Sequence, residues 1–187
     1  MSRIYLVRHG EAAAGWGAHH DPGLSDRGQR QAEAVAQALE PLGPLAIVSS
    51  PLMRAQETAA PLAGKWGAEV RVDPGVGEIP SPTDDLAERA AWLTEQFRLT
   101  WAERGDDLHE WRATVLATLL AMPADTVVFT HYVAIGVAVA AATGDPEADV
   151  RPDNCSVTIL ESSGDRDGGA ETLQLIELPR QRSTFVG

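Results

Sequence analysis

Three short apolar stretches of the sequence each end in polar residues whose types suit chemistry on a ligand. They end in Arg8-His9, in Ser49-Ser50 and in Thr130-His131. An arginine fork suits a phosphate or a carboxylate, whereas a histidine can attack an electrophile, relay protons or bind a metal. The residue types by themselves therefore allow an anion site, a proton-transfer site or a metal site.

A fourth candidate, Arg54, lies in the first turn of the helix expected after Ser50, with Ser50 as N-cap and Pro51 as first helical residue. In an open α/β sheet, the carboxyl ends of parallel strands lie along one edge, where ligands bind. Two arginines, two histidines and two helix N-termini are therefore expected to converge on one small volume. Guanidinium groups, backbone N–H groups and helix dipoles would make that volume a site for a phosphate dianion.

The sequence offers little to hold a metal ion. His19-His20 lie in a glycine-rich loop without a carboxylate at ligand spacing, so we expect them to be exposed or to line the mouth of the pocket. Cys155 is the single cysteine, which excludes an internal disulfide and any cysteine-based metal spacing. We therefore expect no metal.

An alternation of strands and helices must position these residues. Apolar runs predict strands at about residues 4–7, 45–48, 69–73, 126–129, 157–160 and 172–178. Helical periodicity predicts helices at about residues 25–42, 51–64, 86–101, 108–122 and 133–142. This order indicates one α/β domain over residues 1–187, a three-layer αβα sandwich with a mostly parallel central sheet.

Within that domain, residues 76–123 are interpreted as a small helical cap insertion that begins in an irregular stretch rich in glycine and proline. Its tryptophans are expected to form its core, with contact to a substrate as the alternative; they are Trp92, Trp101 and Trp111. A polar turn over residues 162–169 and a loosely ordered tail of the last nine residues complete the prediction.

Composition restricts the partners. Among 187 residues, 27 acidic and 15 basic side chains give a net charge of −12, and no tract is rich in lysine or arginine. This balance argues against nucleic acid and against an anionic membrane surface as partners. No apolar run approaches the roughly 20 residues that span a bilayer, and no secretory signal is recognisable, so we expect a cytoplasmic protein. The sequence carries no indication of the oligomeric state.

Three segments together resemble one known family. Leu6-Val7-Arg8-His9-Gly10-Glu11, the stretch Ser50-Pro51-Leu52-Met53-Arg54-Ala55-Gln56-Glu57-Thr58-Ala59 and Thr130-His131 are similar to motifs of the histidine phosphatase superfamily. This family includes the cofactor-dependent phosphoglycerate mutases and many phosphatases. Residues 24–32 also resemble the family's first helix, and the resemblance runs from residue 3 to about residue 160. It implies a phosphoglycerate mutase-like fold.

The resemblance also implies a role for each site residue. His9 would be the nucleophile that carries a phosphohistidine until water removes it. Arg8, Arg54 and His131 would hold the oxygens of the phosphoryl group, whose charge redistributes in the transition state. Glu78 matches the position of the family's proton donor, which requires a carboxyl group with a raised pKa. Such a mechanism needs no metal and no organic cofactor.

Several positions depart from the family pattern. Gly15 stands where many members place an asparagine, and Tyr132-Val133 stands where two glycines usually follow the second histidine. Ile79-Pro80-Ser81-Pro82 follows Glu78, where the mutases carry an arginine and an aromatic residue. A later segment, Asn154-Cys155-Ser156-Val157, again resembles family members, and Asn154 is expected to support the loop of His131.

The expected function is that of a phosphatase acting on a phosphomonoester, either a small phosphorylated metabolite or a phosphoprotein. Two alternatives stay open: a phosphoglycerate mutase, and a non-catalytic phosphate or phosphopeptide binder, which the residues at positions 15 and 132 make conceivable. Among the site residues, His131 has the alternative of a structural core histidine. Glu78 has three acidic rivals nearby in the sequence, Asp84, Asp85 and Glu88.

Overall fold

A six-stranded mixed sheet is the centre of the fold in the computed structural model, which describes residues 1–15, 17–163 and 171–179. The strands run in the order β3-β2-β4-β1-β5-β6 across the sheet. Strands β1 to β4 are mutually parallel, whereas β5 is antiparallel to β1 and β6 to β5. Their bounds are β1 Ser2–Arg8, β2 Ala46–Ser49, β3 Val70–Val72, β4 Thr126–Thr130, β5 Val157–Ser163 and β6 Thr172–Glu177.

Helices cover both faces of this sheet. Their bounds are α1 Asp26–Leu39, α2 Met53–Trp66, α3 Leu86–Gln96, α4 Asp106–Leu120 and α5 Tyr132–Thr143. Short 3-10 helices occur at Glu40–Leu42, Pro74–Val76 and Trp101–Glu103. No helix in the described part of the chain is both long enough and apolar enough to cross a membrane.

Strand β1 is apolar on both sides because it lies between two hydrophobic layers. Ile4 and Leu6 belong to a core that includes buried residues of α4 and α5. Tyr5 and Val7, which point to the opposite face, belong to a second core with buried residues of α1 and α2. The predicted three-layer αβα architecture with a mostly parallel sheet is therefore confirmed.

Register brings the three functional strand ends to one edge of the sheet. Arg8 of β1 pairs with Thr130 of β4, and Ser49 of β2 pairs with Phe129 of β4. Beyond the strands, the His9 N–H donates to the Thr130 carbonyl at 3.0 Å, and the Ser50 N–H donates to the Phe129 carbonyl at 3.0 Å. The backbone thus holds the three signatures side by side, as the sequence predicts.

Two helix boundaries differ from the prediction. Helix α2 begins at Met53 rather than at Pro51, and its N-cap position is Leu52, so Ser50 is not the N-cap. Helix α3 ends at Gln96, and Trp101 lies in a separate 3-10 turn that Thr100 and Glu103 close as a capping box. Glu103 accepts from both the backbone N–H and the hydroxyl of Thr100, which starts a new turn instead of continuing α3.

The insertion tryptophans pack as core residues. Trp101 is buried, and the guanidinium groups of Arg104 and Arg112 lie 4.1 Å and 4.7 Å from its ring centre. Trp92 and Trp111 pack against the core that includes α4 and α5. Of the predicted turn over residues 162–169 and the last nine residues, only Ser162, Ser163 and Pro179 are among the described residues.

Candidate active site

His9 is held in one orientation at the end of β1. Its Nδ1 lies 2.7 Å from the carbonyl oxygen of Gly10, and the side chain is almost entirely buried. Because a carbonyl oxygen only accepts, Nδ1 carries the proton and Nε2 carries the lone pair. The Nε–H of Arg54 donates to that lone pair at 3.2 Å. The nitrogen able to attack therefore faces a cationic group.

A glycine at position 10 is required by the close approach of the first turn of α1. A Cβ added there would lie 2.7 Å from the carbonyl oxygen of Gly28, at the start of α1. The Gly10 N–H also donates to the hydroxyl of Thr58 on α2 at 3.0 Å, and that hydroxyl donates to the Arg54 carbonyl at 2.6 Å. Thr58 therefore joins the turn of His9 to the backbone of Arg54.

The loop before β5 supports Arg8 and His9 from the other side. Pro152 accepts from the Arg8 guanidinium at 2.9 Å, and the Cys155 N–H donates to the Arg8 carbonyl at 3.0 Å. Cys155 has a positive φ of 55°. The Asn154 side chain donates to the His9 carbonyl at 2.9 Å. Asn154 therefore supports the loop of His9, and the expectation that it supports the loop of His131 is wrong.

Arg54 connects the groups of the site. It is buried in the first turn of α2, with Nη2 3.4 Å from Nδ1 of His131, in addition to its bond to His9. Its Nη1 lies 3.8 Å from the carboxylate of Asp21, which also accepts from the Met53 N–H at 2.9 Å. Asp21 thus accepts a hydrogen bond from the first N–H of α2, the kind of contact that the sequence predicts for Ser50.

His131 is completely buried, and its ring centre lies 5.2 Å from that of His9. Its Nε2 lies 2.7 Å from the hydroxyl oxygen of Ser50, which is also completely buried. Sequence reasoning missed this contact of Ser50, although the serine pair at the end of β2 already marked the position as polar. The pairing of β2 with β4 brings Ser50 beside His131.

Glu78 reaches the same cluster from the irregular segment after the Pro74–Val76 turn. Its Oε2 lies 3.7 Å from Nδ1 of His131, and its side chain is 8% exposed. The segment is tied to β4 because the Thr130 hydroxyl donates to the Val76 carbonyl at 2.7 Å. The structure thus brings Arg54, His9, His131 and Glu78 together.

The acidic rivals of Glu78 have other contacts. Asp85 is the N-cap of α3 and accepts from the N–H groups of Ala87 and Glu88. Glu88 accepts from the hydroxyl of Thr83 at 2.8 Å, and Asp84 is exposed. Glu78 is the acidic residue of this set that contacts His131.

Burial and charge set the protonation of the cluster. Burial, reinforced by the positive charges of Arg54 and Arg8, lowers the pKa of His9 well below its usual value. Burial also lowers the pKa of His131, with contributions from His9 and the two arginines. Burial raises the pKa of Glu78, against the opposing effect of Arg54. Two neutral histidines are therefore favoured at neutral pH, and the carboxyl group of Glu78 keeps its proton to a higher pH than an exposed glutamate does.

The cluster also contains metal-ligand atoms that sequence spacing did not reveal. One nitrogen of each of His9 and His131 and one carboxylate oxygen of Glu78 lie within 4.8 Å of one another. However, Arg54 directs N–H groups at both histidine nitrogens, and a divalent cation would be repelled by that guanidinium. The donor set fits an anion better than a metal ion. Among the described residues no other group of potential ligands was found, and His19-His20 form none.

Two further contacts involve residues near the cluster. The ring of Tyr132 lies 5.2 Å from the Arg8 guanidinium and meets the exposed Phe97 edge-on at 5.9 Å. Nδ1 of His20 lies 3.1 Å from the Arg89 guanidinium of α3, so the predicted cap insertion contacts the segment before α1.

Gly15 is a departure from the family pattern with open space around it. A Cβ added there would meet nothing within 4 Å.

Comparison with known proteins agrees with this geometry. A family model for the histidine phosphatase superfamily (branch 1) matches residues 4–172. The "Probable phosphoglycerate mutase GpmB" of Erwinia tasmaniensis is 30% identical over 185 residues, which cover 86% of this chain and 85% of the relative. Mycobacterial hydrolase 1 has a TM-score of 0.70 at 25% identity, covering 97% of this chain and 100% of its own.

A mycobacterial glucosyl-3-phosphoglycerate phosphatase, solved with inorganic phosphate, has a TM-score of 0.70 at 24% identity and covers 97% of this chain and 98% of its own. That likeness is one of fold. The relatives and neighbours are named as phosphatases or mutases, which are enzymes of phosphoryl transfer.

The shifted pKa values predict how stability depends on pH. Unfolding returns His9 and His131 toward the usual pKa of 6.5, so the unfolded chain binds more protons below that pH. Their contribution to stability is therefore complete above pH 6.5 and is lost on acidification, by about 1.4 kcal/mol per pH unit for each histidine. The free energy of unfolding, measured with urea, should be determined between pH 7 and pH 5 for the wild type and for His9→Gln. Its decrease per pH unit should be smaller by roughly half in the variant.

Glu78 provides a control, because its effect on stability changes with pH in the opposite direction. Its pKa is raised in the folded chain, so above pH 4.5 the folded chain binds more protons at Glu78 than the unfolded chain does, and a rise in pH lowers the free energy of unfolding. Glu78→Gln should therefore lose stability more steeply on acidification than the wild type. Equal slopes for all three proteins would contradict the protonation states assigned to the cluster.

Proposed function

Because the chain belongs to the histidine phosphatase superfamily, we propose that it is a phosphatase that hydrolyses a phosphomonoester through a phosphohistidine on His9. The observation that carries the proposal is the orientation of His9. The Gly10 carbonyl holds its proton on Nδ1, so the Nε2 lone pair faces the guanidinium of Arg54. An anion that binds Arg54 would be placed against the attacking nitrogen.

Binding would replace contacts that Arg54 makes within the protein. Its N–H groups, which now face the ring nitrogens of His9 and His131, would turn to oxygens of the phosphoryl group. Arg8, whose charge already affects the pKa of both histidines, would contribute from the end of β1. These donors stabilise the charge on the equatorial oxygens in the transition state.

The first chemical step forms the bond between Nε2 of His9 and phosphorus as the ester P–O bond breaks. Glu78 would give its proton to the departing alkoxide, a role that the raised pKa of its carboxyl group favours. In the second step the Glu78 carboxylate takes a proton from water, whose oxygen attacks phosphorus and breaks the P–N bond. Inorganic phosphate leaves, and both His9 and Glu78 return to their starting states.

The burial of the site bears on the substrate class. His9, Arg54 and His131 are all buried, so a small molecule would reach them more readily than a side chain on the surface of a folded protein. Nearby contacts add an aromatic pair, Tyr132 with Phe97, and the pair of His20 with Arg89. This supports a small phosphorylated metabolite as the substrate.

The second candidate is phosphoglycerate mutase chemistry, which the name of the relative at 30% identity favours. A mutase must hold a bisphosphorylated intermediate and keep water from the phosphoenzyme. The residues after Glu78 do not supply the arginine expected of a mutase, since Ile79 is apolar and buried and Pro80 follows it. Hydrolysis is therefore the better-supported reaction.

The first test is direct detection of the phosphoenzyme. Rapid quenching of wild-type protein with a phosphomonoester such as p-nitrophenyl phosphate should give phosphate that is covalently bound, acid-labile and base-stable, as expected for a phosphohistidine. His9→Ala should lose this label together with at least about 10³-fold in kcat. EDTA should leave the label unchanged, because the proposed chemistry needs no metal.

Three results would contradict this assignment. Turnover that persists in His9→Ala would place the nucleophile elsewhere, and inhibition by EDTA would indicate that a metal ion takes part. Tight phosphate binding by the wild type without turnover would favour the non-catalytic binder. Calorimetry with inorganic phosphate, run beside the activity assay, separates that last case from an inactive preparation.

The second test concerns the proton donor. Glu78→Gln should slow substrates with a poor leaving group, such as glycerol phosphates, by about 10²- to 10⁴-fold, since an alkoxide must be protonated as it leaves. A p-nitrophenolate leaving group needs no proton, so phosphorylation of His9 by that ester should slow far less. Asp85→Asn, a matched change at the N-cap of α3, should affect both substrates equally. Equal losses for both substrates in Glu78→Gln would contradict its role.

The third test separates hydrolysis from mutase chemistry. The wild type is incubated with 3-phosphoglycerate, with and without 2,3-bisphosphoglycerate, and both 2-phosphoglycerate and inorganic phosphate are measured. A phosphatase should release inorganic phosphate, and added 2,3-bisphosphoglycerate should not lead it to form 2-phosphoglycerate. Formation of 2-phosphoglycerate that exceeds phosphate release by about tenfold would favour the mutase, and phosphate release from other metabolites in a panel would identify the substrate.

A further inference from the structure

We propose that Ser50 is a positioning residue that fixes the proton of His131 on Nδ1, so that His131 presents an N–H group to the phosphoryl group. The inference rests on the proposed function, because it concerns how His131 takes part in the phosphate site. Neither the motif arginines nor the two histidines explain why a buried serine lies against the second histidine.

The hydroxyl group of Ser50 has few partners in a fully buried position. Its oxygen accepts from the Leu52 N–H at 3.3 Å and lies 2.7 Å from Nε2 of His131. Among the described residues, no other group lies within hydrogen-bond distance of this oxygen. A backbone N–H cannot accept a proton, so Nε2 is the one acceptor on offer for the Ser50 hydroxyl.

This geometry decides the direction of the bond. If Nε2 carried the proton of His131, the Ser50 hydroxyl would accept twice and its own proton would be buried without an acceptor. An unsatisfied buried donor is unfavourable compared with the alternative, in which the hydroxyl donates to Nε2. In the phosphate complex the Ser50 hydroxyl therefore donates, Nε2 carries the lone pair, and the single proton of the neutral ring lies on Nδ1.

The other side of the ring is where this proton is needed. Nδ1 of His131 lies 3.4 Å from Nη2 of Arg54 and 3.7 Å from Oε2 of Glu78, within the candidate phosphate site. In the structure an Arg54 N–H faces this nitrogen. In the proposed mechanism that N–H turns to a phosphoryl oxygen, and Ser50 is then the partner that sets the position of the His131 proton. A lone pair on Nδ1 would repel a phosphoryl oxygen, whereas an N–H there donates to it.

The pKa of His131 makes the choice of nitrogen matter. Burial, together with the neighbouring His9 and arginines, lowers that pKa well below its usual value. At neutral pH the ring is therefore neutral and has only one proton to offer. A protonated imidazolium would donate from both nitrogens and would not need Ser50, but here the partner on Nε2 determines what Nδ1 presents.

The first readout is the tautomer itself. Nitrogen-15 NMR of histidine-labelled wild type, saturated with inorganic phosphate and assigned with His131→Gln, should show a protonated Nδ1 and an unprotonated Nε2 for His131. This measurement needs no turnover, so it stays informative even if the phosphohistidine test fails and the proposed function is wrong. A proton on Nε2 of His131 in the wild-type phosphate complex would overturn the proposal.

The second readout compares two neighbouring serines. Ser50→Ala should shift His131 toward a proton on Nε2, weaken inorganic phosphate binding about tenfold and lower kcat/KM roughly 10- to 100-fold. Ser49→Ala is the matched control: Ser49 is also completely buried, but its hydroxyl donates to the Ser50 carbonyl rather than to His131. It should leave the tautomer unchanged.

These variants also distinguish positioning from a general loss of structure. If Ser50 had only a structural role, Ser50→Ala would lose activity while the His131 tautomer stayed as in the wild type. If Ser50→Ala fails to fold, the wild-type spectrum still decides the proposal. An unchanged tautomer and unchanged phosphate affinity in a folded Ser50→Ala protein would overturn it.

Discussion

The guanidinium of Arg54 is the interaction on which the rest of the site depends. It donates to Nε2 of His9, lies 3.4 Å from Nδ1 of His131 and is paired with Asp21. Its charge lowers the pKa of both histidines and opposes the raised pKa of Glu78. Burial lowers the pKa of Arg54, and the charges of Glu78 and Asp21 oppose that effect. The Asp21 carboxylate lies 3.8 Å from the guanidinium and is partly exposed. In the proposed mechanism a phosphate dianion would add negative charge directly against this guanidinium.

The backbone supports this arrangement through bonds that run between elements. Thr58 links the Arg54 carbonyl on α2 to the Gly10 N–H in the turn after β1, and Asn154 holds the His9 carbonyl from the loop before β5. Neither side chain faces the phosphate directly in the proposed mechanism. Their effect is to fix the distance between the nucleophile and the cation, which is the quantity that in-line attack requires to be correct.

Much of the architecture was predictable from the sequence because its causes are local. Strand β1 is apolar on both faces, and an Arg-His-Gly turn follows it, so both the strand and the location of chemistry at its end can be predicted from consecutive residues. The same reasoning located Arg54 and His131, and the three strand ends do meet through the pairing of β1, β2 and β4. The site roles of these residues remain a proposal supported by that geometry.

What could not be predicted depends on contacts between distant segments. A serine before a proline is typical of an N-cap, but the N-cap position of α2 is Leu52. The Met53 N–H donates to Asp21, and Ser50 contacts His131 instead. Asn154 lies in the loop that leads into β5. Because β5 pairs with β1 rather than with β4, the side-chain amide of Asn154 contacts the His9 carbonyl. The trio of His9, Glu78 and His131 likewise has no recognisable spacing in the sequence, because three separate segments supply it. In each case the contact joins residues from distant segments, and the packing of those segments is not determined by local sequence patterns.

The departures from the family pattern lie beside Arg8 and beside the carboxyl group of Glu78. Tyr132 is the first residue of α5, and its ring packs against both Arg8 and Phe97. A glycine at this position would lack the ring that covers Arg8. The contact of Tyr132 with Phe97, just beyond the end of α3, joins the insertion to the first strand's arginine. Two other departures contact Glu78 itself, since the backbone N–H groups of Ile79 and Val133 donate to its carboxyl group. Because these bonds come from the backbone, they do not require particular side chains at positions 79 and 133.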